Sequence, residues 1–343
     1  MNLQNILLDH GSGGLLTQDL IEKVFLPRFD NPILSEFGDS AVIDIGFDDG
    51  GHGRIAFTTD SYVVDPIFFP GGDIGALAIN GTINDLSMRG AVPLCLSLGL
   101  IIEEGLAMKD LERIADSIQL SSNASGVKVV TGDTKVVPRG KADKIFINTS
   151  GIGLIKKRLD ISASKTAPGD AVILSGTMAD HGATILTRRP GFIFDGDLKS
   201  DTMALNRLVN AVIDATPEGA LHTLRDPTRG GVATALNEIA RTSKVMIEID
   251  ESEVPVKSEV RAACEILGLD PFHLANEGKC LAIVEESSAE AVVHAMRLMP
   301  EGRDAAIIGR VKDGNAGRVI LKTLIGGNRM LGPLAGEPLP RIC

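Results

Sequence analysis

The sequence has no run of apolar residues near the roughly 20 that a helix needs to cross a bilayer. Its N-terminus lacks a basic stretch followed by a long apolar segment, so no secretory signal is predicted. Positive charge is not in excess either, because the formal net charge is −11. A nucleic-acid groove or an anionic membrane surface needs clustered lysine and arginine on the protein. These absences predict a cytoplasmic protein whose main partner is neither a nucleic acid nor an anionic membrane surface.

Cysteine is scarce, with four residues in 343, and no two of them form a Cys-x-x-Cys pair. A structural zinc site is therefore not predicted. Cys95, Cys264 and Cys280 lie in apolar, helical or strand-like patterns and are predicted to be small core residues. Cys343 differs from them because it is the last residue of the sequence.

The composition that is present, 44% apolar residues and 38 glycines, fits a compact enzyme of the α/β (α+β) class with about two domains. Short apolar runs bounded by Gly, Asp or Pro predict strands, and apolar residues at helical spacing predict helices between them. In the first half, strands are predicted over 41–45, 54–60, 92–102, 127–131 and 144–149, and helices over 73–89 and 108–124. In the second half, strands are predicted over 171–174, 221–225, 245–249, 280–285, 305–311 and 317–325, and helices over 180–188, 201–214, 229–242, 257–268 and 288–298.

A polar, turn-rich break between these halves predicts a domain boundary. The predicted organisation is a Gly-rich N-terminal segment (1–36), an N-terminal domain (37–157), a C-terminal α/β domain (168–325) and a flexible tail (326–343). The tail is rich in Pro and Gly, and its 17 residues from Gly327 span on the order of 55 Å when extended. Such a tail could bring Cys343 into its own active site, that of a partner subunit, or another protein.

Four aspartates lie at predicted strand ends and turns: Asp39, Asp60, Asp85 and Asp133. Carboxylate oxygens of this kind suit Mg²⁺, which keeps several waters and takes substrate phosphates as further ligands. The alternative for each one is turn chemistry or helix capping. As a set they favour a metal site.

Two glycine-containing turns could bind phosphate. Lys135, in 132–135, is predicted at a strand exit beside Asp133, where its charge could neutralise a γ-phosphate; a solvated lysine is the alternative. The segment 68–75 predicts a helix entry whose amides could bind phosphate, or simply begin the helix. The sequence has no P-loop motif, and 10–14 could form a lid or an ordinary loop.

Two further motifs lie in the second half, at 225–231 and 275–279, where ionisable residues stand beside glycine at element junctions. Glu277 could act as a base or hold a lysine, and a surface carboxylate in a turn is the alternative.

These motifs together resemble the HypE family of hydrogenase maturation factors, within the superfamily of aminoimidazole ribonucleotide synthetase and selenophosphate synthetase. The resemblance covers nearly the whole chain, and the ending Pro-Arg-Ile-Cys is its most specific element. The matching segments are 10–14, 69–75, 84–86, 132–137, 226–231, 276–279 and 340–343.

The resemblance implies a two-domain aminoimidazole-ribonucleotide-synthetase-like fold that forms a homodimer through its N-terminal domains, with ATP and Mg²⁺ bound nearby. It implies that Cys343 receives a carbamoyl group from the carbamoyltransferase HypF. The group is then dehydrated to a thiocyanate, whose cyanide passes to iron on the HypC–HypD complex for the [NiFe]-hydrogenase cofactor. The ATP-binding residues it indicates are Gly71, Gly72, Asp73, Asn84, Thr134 and Lys135.

In this interpretation Mg²⁺ binds some of the four aspartates and Lys135 faces the γ-phosphate, while Glu277 takes a proton from the amide nitrogen. Arg341 should favour the thiolate of Cys343, although a thiol of pKa ~8.5 is mostly protonated at neutral pH. We therefore expect Cys343 to react slowly without the transferase.

Two other functions remain open from the residues. A selenophosphate-forming or imidazole-closing enzyme would share the ATP-binding motifs, but it needs no terminal cysteine. A non-catalytic carrier would use Cys343 without ATP chemistry, and four aspartates beside Lys135 argue against it.

Overall fold

The computed structural model describes residues 5–11, 14–29, 31–46, 52–156, 159–189, 191, 194, 196–314, 317–334 and 341–343. The predicted lid, the predicted domain break and the predicted tail each lie partly outside these residues. The described part of the chain contains no helix that is both long and apolar enough to span a membrane.

The N-terminal domain is built on a sheet of five described strands in the order β1-β2-β7-β5-β6, antiparallel except for the parallel pair β5–β6. Its strands are β1 (Ala41–Gly46), β2 (His52–Tyr62), β5 (Ala91–Glu103), β6 (Lys128–Val137) and β7 (Ile145–Ile155). A small hairpin, β3 (Phe68–Phe69) with β4 (Gly72–Asp73), precedes the helix α3 (Ile74–Met88), and α4 (Met108–Ser125) follows β5. Two short helices, α1 (Leu15–Leu20) and α2 (Leu26–Phe29), precede β1.

The helix α3 connects the two domains. It packs on β2, β5 and β7 of the first sheet and also contacts elements of the second half of the chain. Thirteen of its 15 residues are buried. A helix that is apolar on all sides is expected where protein surrounds it. The burial of α3 fits its location between the two domains.

The C-terminal domain contains a sheet of seven described strands in the order β14-β13-β10-β12-β8-β11-β9. All four residues of β8 and of β11 are buried, so these strands read as continuous apolar runs rather than alternating ones. The strands are β8 (Ala171–Leu174), β9 (Leu221–Arg225), β10 (Met246–Asp250), β11 (Leu281–Val284), β12 (Ala306–Lys312), β13 (Arg318–Lys322) and β14 (Asn328–Met330). The helices are α5 (Asp180–Thr187), α6 (Asn206–Ala215), α7 (Gly231–Ser243), α8 (Ser258–Leu267) and α9 (Ala289–Arg297).

Several predicted boundaries differ from the structure; for example, the strand predicted over 144–149 continues to Ile155 as β7. The strand predicted to end at residue 131 continues to Val137, because β6 pairs with β5 along this length. Lys135 therefore lies within a strand and not at its exit. The helix predicted from 201 begins at Asn206. Beyond 325, where the tail was expected to begin, β14 pairs with β13 and Leu331 is buried.

Candidate active site at the domain junction

Three of the four predicted metal ligands lie around Thr58 on β2. The Thr58 hydroxyl is 2.8 Å from a carboxylate oxygen of Asp85, near the end of α3, and 3.1 Å from the main-chain oxygen of Asp39. Asp60 is two residues further along the same strand, so its side chain points to the same face. The fold therefore places Asp39, Asp60 and Asp85 at one junction.

We call Asp39, Asp60, Asp85 and Asp226 the acidic cluster, and burial raises the pKa of Asp39, Asp85 and Asp226. It raises the pKa of Asp39 to about 8 and that of Asp226 to about 6, in each case against the attraction of Arg225. Burial also raises the pKa of Asp85 well above its usual range, and the charges of the other three aspartates raise it further. The carboxylates repel one another, as expected of a site that binds a cation.

The acidic cluster is not arranged as a finished metal cage. Among the described residues, no three carboxylate, histidine or cysteine side chains form a ready metal site. Asp39 is also held by an ion pair, 2.8 Å from Arg225, which in turn lies 2.7 Å from Glu238. The donor set nevertheless fits Mg²⁺, which needs only one or two protein carboxylates and takes phosphate and water oxygens as its other ligands.

The fourth predicted ligand lies elsewhere. Asp133 and Lys135 are on the edge strand β6, three strands from β2, a separation of roughly 14 Å across the sheet. They form a 2.8 Å ion pair with each other, with 70% and 68% of their side chains exposed. Thr134 lies between them and is also exposed. One chain therefore does not bring Lys135 to the acidic cluster or to Glu277.

The glycine-rich turn before α3 has a clear structural role. Asp73 caps the helix, because its carboxylate accepts hydrogen bonds from the main-chain nitrogens of Gly75 (2.8 Å) and Ala76 (3.0 Å). Gly71 has φ +92°, and a Cβ there would lie 2.5 Å from the main-chain oxygen of Ser200. Gly72 is equally crowded, since a Cβ there would lie 2.6 Å from the Thr202 side chain.

Asn84 also has a structural role at the domain junction. Its side-chain nitrogen donates to the Met203 carbonyl at 3.0 Å, and its oxygen accepts from the Leu205 nitrogen at 2.7 Å. The residue is buried between the two domains. Contacts of ATP with Asn84 or with the turn before α3 remain predictions.

Glu277 is a buried acid with a raised pKa. It is 3% exposed, and its Oε1 atom has no hydrogen-bond partner among the described residues. Burial raises its pKa well above the usual range, the charges of Asp226 and Asp60 raise it further, and Arg229 acts against them. A raised pKa brings a carboxyl group closer to neutral pH, where it can exchange a proton with a substrate as a general base or acid.

The last described residues of the chain are docked at this junction. The main-chain nitrogens of Val63 and Asp65, just after β2, donate to main-chain oxygens of Cys343 (3.0 Å) and Arg341 (3.2 Å). This end of the chain thus lies against its own N-terminal domain. It lines a cleft together with Ser61 and Arg229.

Arg229 lines the cleft with Cys343, and the predicted cation, Arg341, also lines it but is held by other partners. The Arg341 side chain donates to the Val63 carbonyl at 2.9 Å and pairs with Asp143. For Arg229, the negative charge of Cys343 is the largest influence that raises the pKa of its guanidinium, followed by burial, which lowers it, and by Asp60, which raises it.

The local backbone explains how Arg229 reaches this position. It precedes Gly230 (φ +74°) and Gly231 (φ +62°), which turn the chain into α7. A Cβ on Gly231 would lie 2.5 Å from the carbonyl oxygens of Phe272 and Leu274, so only glycine fits there. The Arg-Gly-Gly sequence was a visible signal for this turn, but it did not identify Arg229 as the partner of Cys343.

The fold and site define a class, and comparisons with known proteins agree. The model of the N-terminal domain of AIR synthase related proteins matches residues 37–155, and the model of their C-terminal domain matches 167–322. This confirms the predicted fold class and superfamily.

Within that class, the chain is 49% identical to carbamoyl dehydratase HypE of Rhizobium leguminosarum bv. viciae, over 98% of this chain and 94% of that protein. It resembles a crystal structure of a HypE–HypF complex (TM-score 0.85, 45% identity, 92% of this chain and 99% of that one). It also resembles HypE in complex with ATP (TM-score 0.81, 50% identity, 99% and 100%). The chain therefore belongs to the HypE family, as its motifs indicated.

Proposed function

We propose that this protein is an ATP-dependent carbamoyl dehydratase that converts an S-carbamoyl group on Cys343 into a thiocyanate. The observation that carries the proposal is the position of Cys343, docked in a cleft beside Arg229 and next to the acidic cluster. A carrier cysteine has no need of buried carboxylates around it. An enzyme that removes oxygen from the carried group needs both a cation and a base there.

ATP and Mg²⁺ are the cofactors of this reaction. Asp60 and Asp85 are the residues we expect to hold Mg²⁺, with Asp39 as a further ligand if it leaves Arg225. When bound, the ion neutralises phosphate charge. We retain the proposed contacts of ATP with the turn before α3 and with Lys135.

The reaction balances with one ATP. The carbamoyl oxygen attacks the γ-phosphorus and ADP leaves, which converts a poor leaving group into a phosphate. The C–O bond then breaks as a C≡N bond forms, and phosphate departs. The nitrogen loses two protons, one to Glu277 and the other to the departing phosphate. Arg229 orients the group on Cys343 and stabilises the negative charge that develops.

The exposed face of the first sheet supports the homodimer that the sequence suggested. Its side opposite α3 carries exposed apolar side chains, and Phe57 and Ile152, which are register partners, are 41% and 39% exposed. Ile101 on β5, the register partner of Lys135, is 44% exposed. A second copy covering this face would bury these groups. It would also give Lys135 access to the partner's acidic cluster.

We further propose HypF as the donor of the carbamoyl group and the HypC–HypD complex as the acceptor of the cyanide, in the cytoplasm. The support for HypF is the similarity to a HypE–HypF complex. The remaining assignments follow the family resemblance.

Mass spectrometry of the peptide that contains Cys343 tests the proposal. The protein is incubated with carbamoyl phosphate, the transferase and ATP-Mg²⁺, with Cys343→Ser as the control. We expect a carbamoyl adduct that loses one water only when ATP is hydrolysed. An adduct that never loses water would leave a carrier, and the absence of any adduct would favour the selenophosphate or ring-closing alternatives.

A further inference from the structure

One buried histidine contacts the docked end of the chain. His181, on α5, is completely buried, and its Nε2 atom lies 2.6 Å from the carbonyl oxygen of Ile342. Its Nδ1 atom lies 2.7 Å from the Ser200 hydroxyl, and its ring meets the edge of Phe69 with centroids 5.5 Å apart. Ile342 directly precedes Cys343 in the chain. His181 itself is not part of the acidic cluster.

The hydrogen bonds define the state of the His181 ring. A carbonyl only accepts, so Nε2 must carry the proton that is donated to Ile342, and Nδ1 of the neutral ring then accepts from Ser200. Burial lowers the pKa of His181, which favours this neutral form. Both ring nitrogens are therefore hydrogen-bonded, Nε2 as a donor and Nδ1 as an acceptor.

The hydrogen bond from His181 holds the main chain of Ile342 and does not involve the thiol of Cys343. The Ile342 side chain is 6% exposed and packs in the main apolar core, while its carbonyl is held by His181. Ser200 in turn donates its main-chain nitrogen to the Pro70 carbonyl at 2.9 Å, so the contact is braced by the turn before α3. Cys343 can therefore carry a group while the residue before it is held.

We propose that His181 is a positioning residue that keeps Ile342, and with it Cys343, docked beside Arg229. The inference rests on the proposed function for its purpose, but its contacts and its test do not. It acts through the main chain of the tail and touches no reacting atom.

Two variants separate the donor to Ile342 from the rest of the ring. His181→Gln can place an amide N–H near the position of Nε2, whereas His181→Asn reaches only the position of Nδ1. The measurement is the rate at which a small thiol reagent alkylates Cys343, followed by mass spectrometry without ATP or transferase. One buried hydrogen bond is worth about a factor of ten in the docked population, so His181→Asn should alkylate up to roughly tenfold faster. His181→Gln should stay near the wild-type rate.

A second measurement distinguishes positioning from ordinary core packing. His181→Asn is combined with a chain that ends at residue 340, and Tm is measured for the four proteins. We expect His181→Asn to lower Tm more in the full chain than in the shortened chain, because only the full chain has the Ile342 contact. Equal losses of Tm in both chains, or an unchanged alkylation rate in His181→Asn, would overturn the proposal. Neither result depends on whether the protein is a dehydratase.

Discussion

The predicted catalytic residues lie in two regions of the molecule, and only one of these regions brings several of the required groups together. At the domain junction, Cys343, Arg229 and Glu277 meet the acidic cluster within one chain. On β6, Lys135 has only its neighbour Asp133 and solvent around it. The comparison leads to a prediction: if Lys135 acts on phosphate as proposed, it reaches the junction of one chain from a second copy of the protein.

The largest expected effect comes from a substitution at the buried domain junction. Glu277→Gln should reduce the rate of dehydration by about 10²–10⁴-fold, because it removes the proton acceptor while keeping the shape. Carbamoylation of Cys343 should continue. Single-turnover mass spectrometry gives the rate, with Glu265→Gln on the exposed face of α8 as the control. Unimpaired dehydration in Glu277→Gln would remove the base role.

The role of the exposed Lys135 on β6 is tested by mixing two inactive proteins. Lys135→Ala and Cys343→Ser should each be inactive, but one site of a mixed dimer would combine an intact Cys343 with an intact Lys135 from the other chain. At equal amounts, about a quarter of the wild-type sites should recover in a twofold dimer. Lys128→Ala, also exposed on β6, is the control and should be active alone. No recovery after subunit exchange would show that Lys135 acts in its own chain or not at all.

The acidic cluster predicts a smaller, pH-dependent effect on stability. A carboxyl group with a raised pKa in the folded state stabilises the fold at low pH, and this contribution is lost as the pH rises through the folded pKa. For Asp226 and Asp39 the loss runs from the ordinary aspartate pKa of 3.8 up to a pKa of about 6 and about 8, respectively. The Tm without Mg²⁺ should therefore fall by a few degrees across this range. Asp226→Asn should reduce the fall, and Mg²⁺ should restore Tm at pH 8; a flat profile would contradict the repulsion.

The smallest effect concerns the cap of α3. Asp73→Ala should cost about 1 kcal/mol of stability, or roughly 2–4 °C in Tm, whereas Asp73→Asn should be nearly neutral because Asn also caps helices. ATP affinity measured on the Asn variant then separates the two roles. If it falls while Tm holds, the carboxylate contributes to ATP binding as well as capping.

Local patterns predicted most of the fold. The apolar runs of β8 and β11 and the helical spacing of α4 are properties of neighbouring residues, so the sequence shows them directly. The end of β6 was not predicted, because Gly132-Asp133 resembles a turn. The structure pairs Gly132 with Leu98, and a Cβ on Gly132 would lie 2.5 Å from the Leu98 carbonyl. Only the partner strand reveals why glycine stands there.

The site was predicted less completely than the fold. Asp39, Asp60 and Asp85 were predicted as metal ligands together with Asp133, which lies on β6 instead, and Glu277 was predicted separately as a base. Arg229 and His181 were missed as partners of the chain end. His181 and Ile342 are 161 residues apart in sequence, and no local pattern connects them.

The burial of α3 has a consequence for how the molecule can be divided. The family models place a boundary between 155 and 167, which suggests two separable modules. Yet α3 packs against α6 and β9 of the second module, and Asn84 on it is hydrogen-bonded to that module. An isolated first module would expose this apolar helix face and leave polar groups of Asn84 without their partners. We therefore expect the two modules to unfold together and not as independent units.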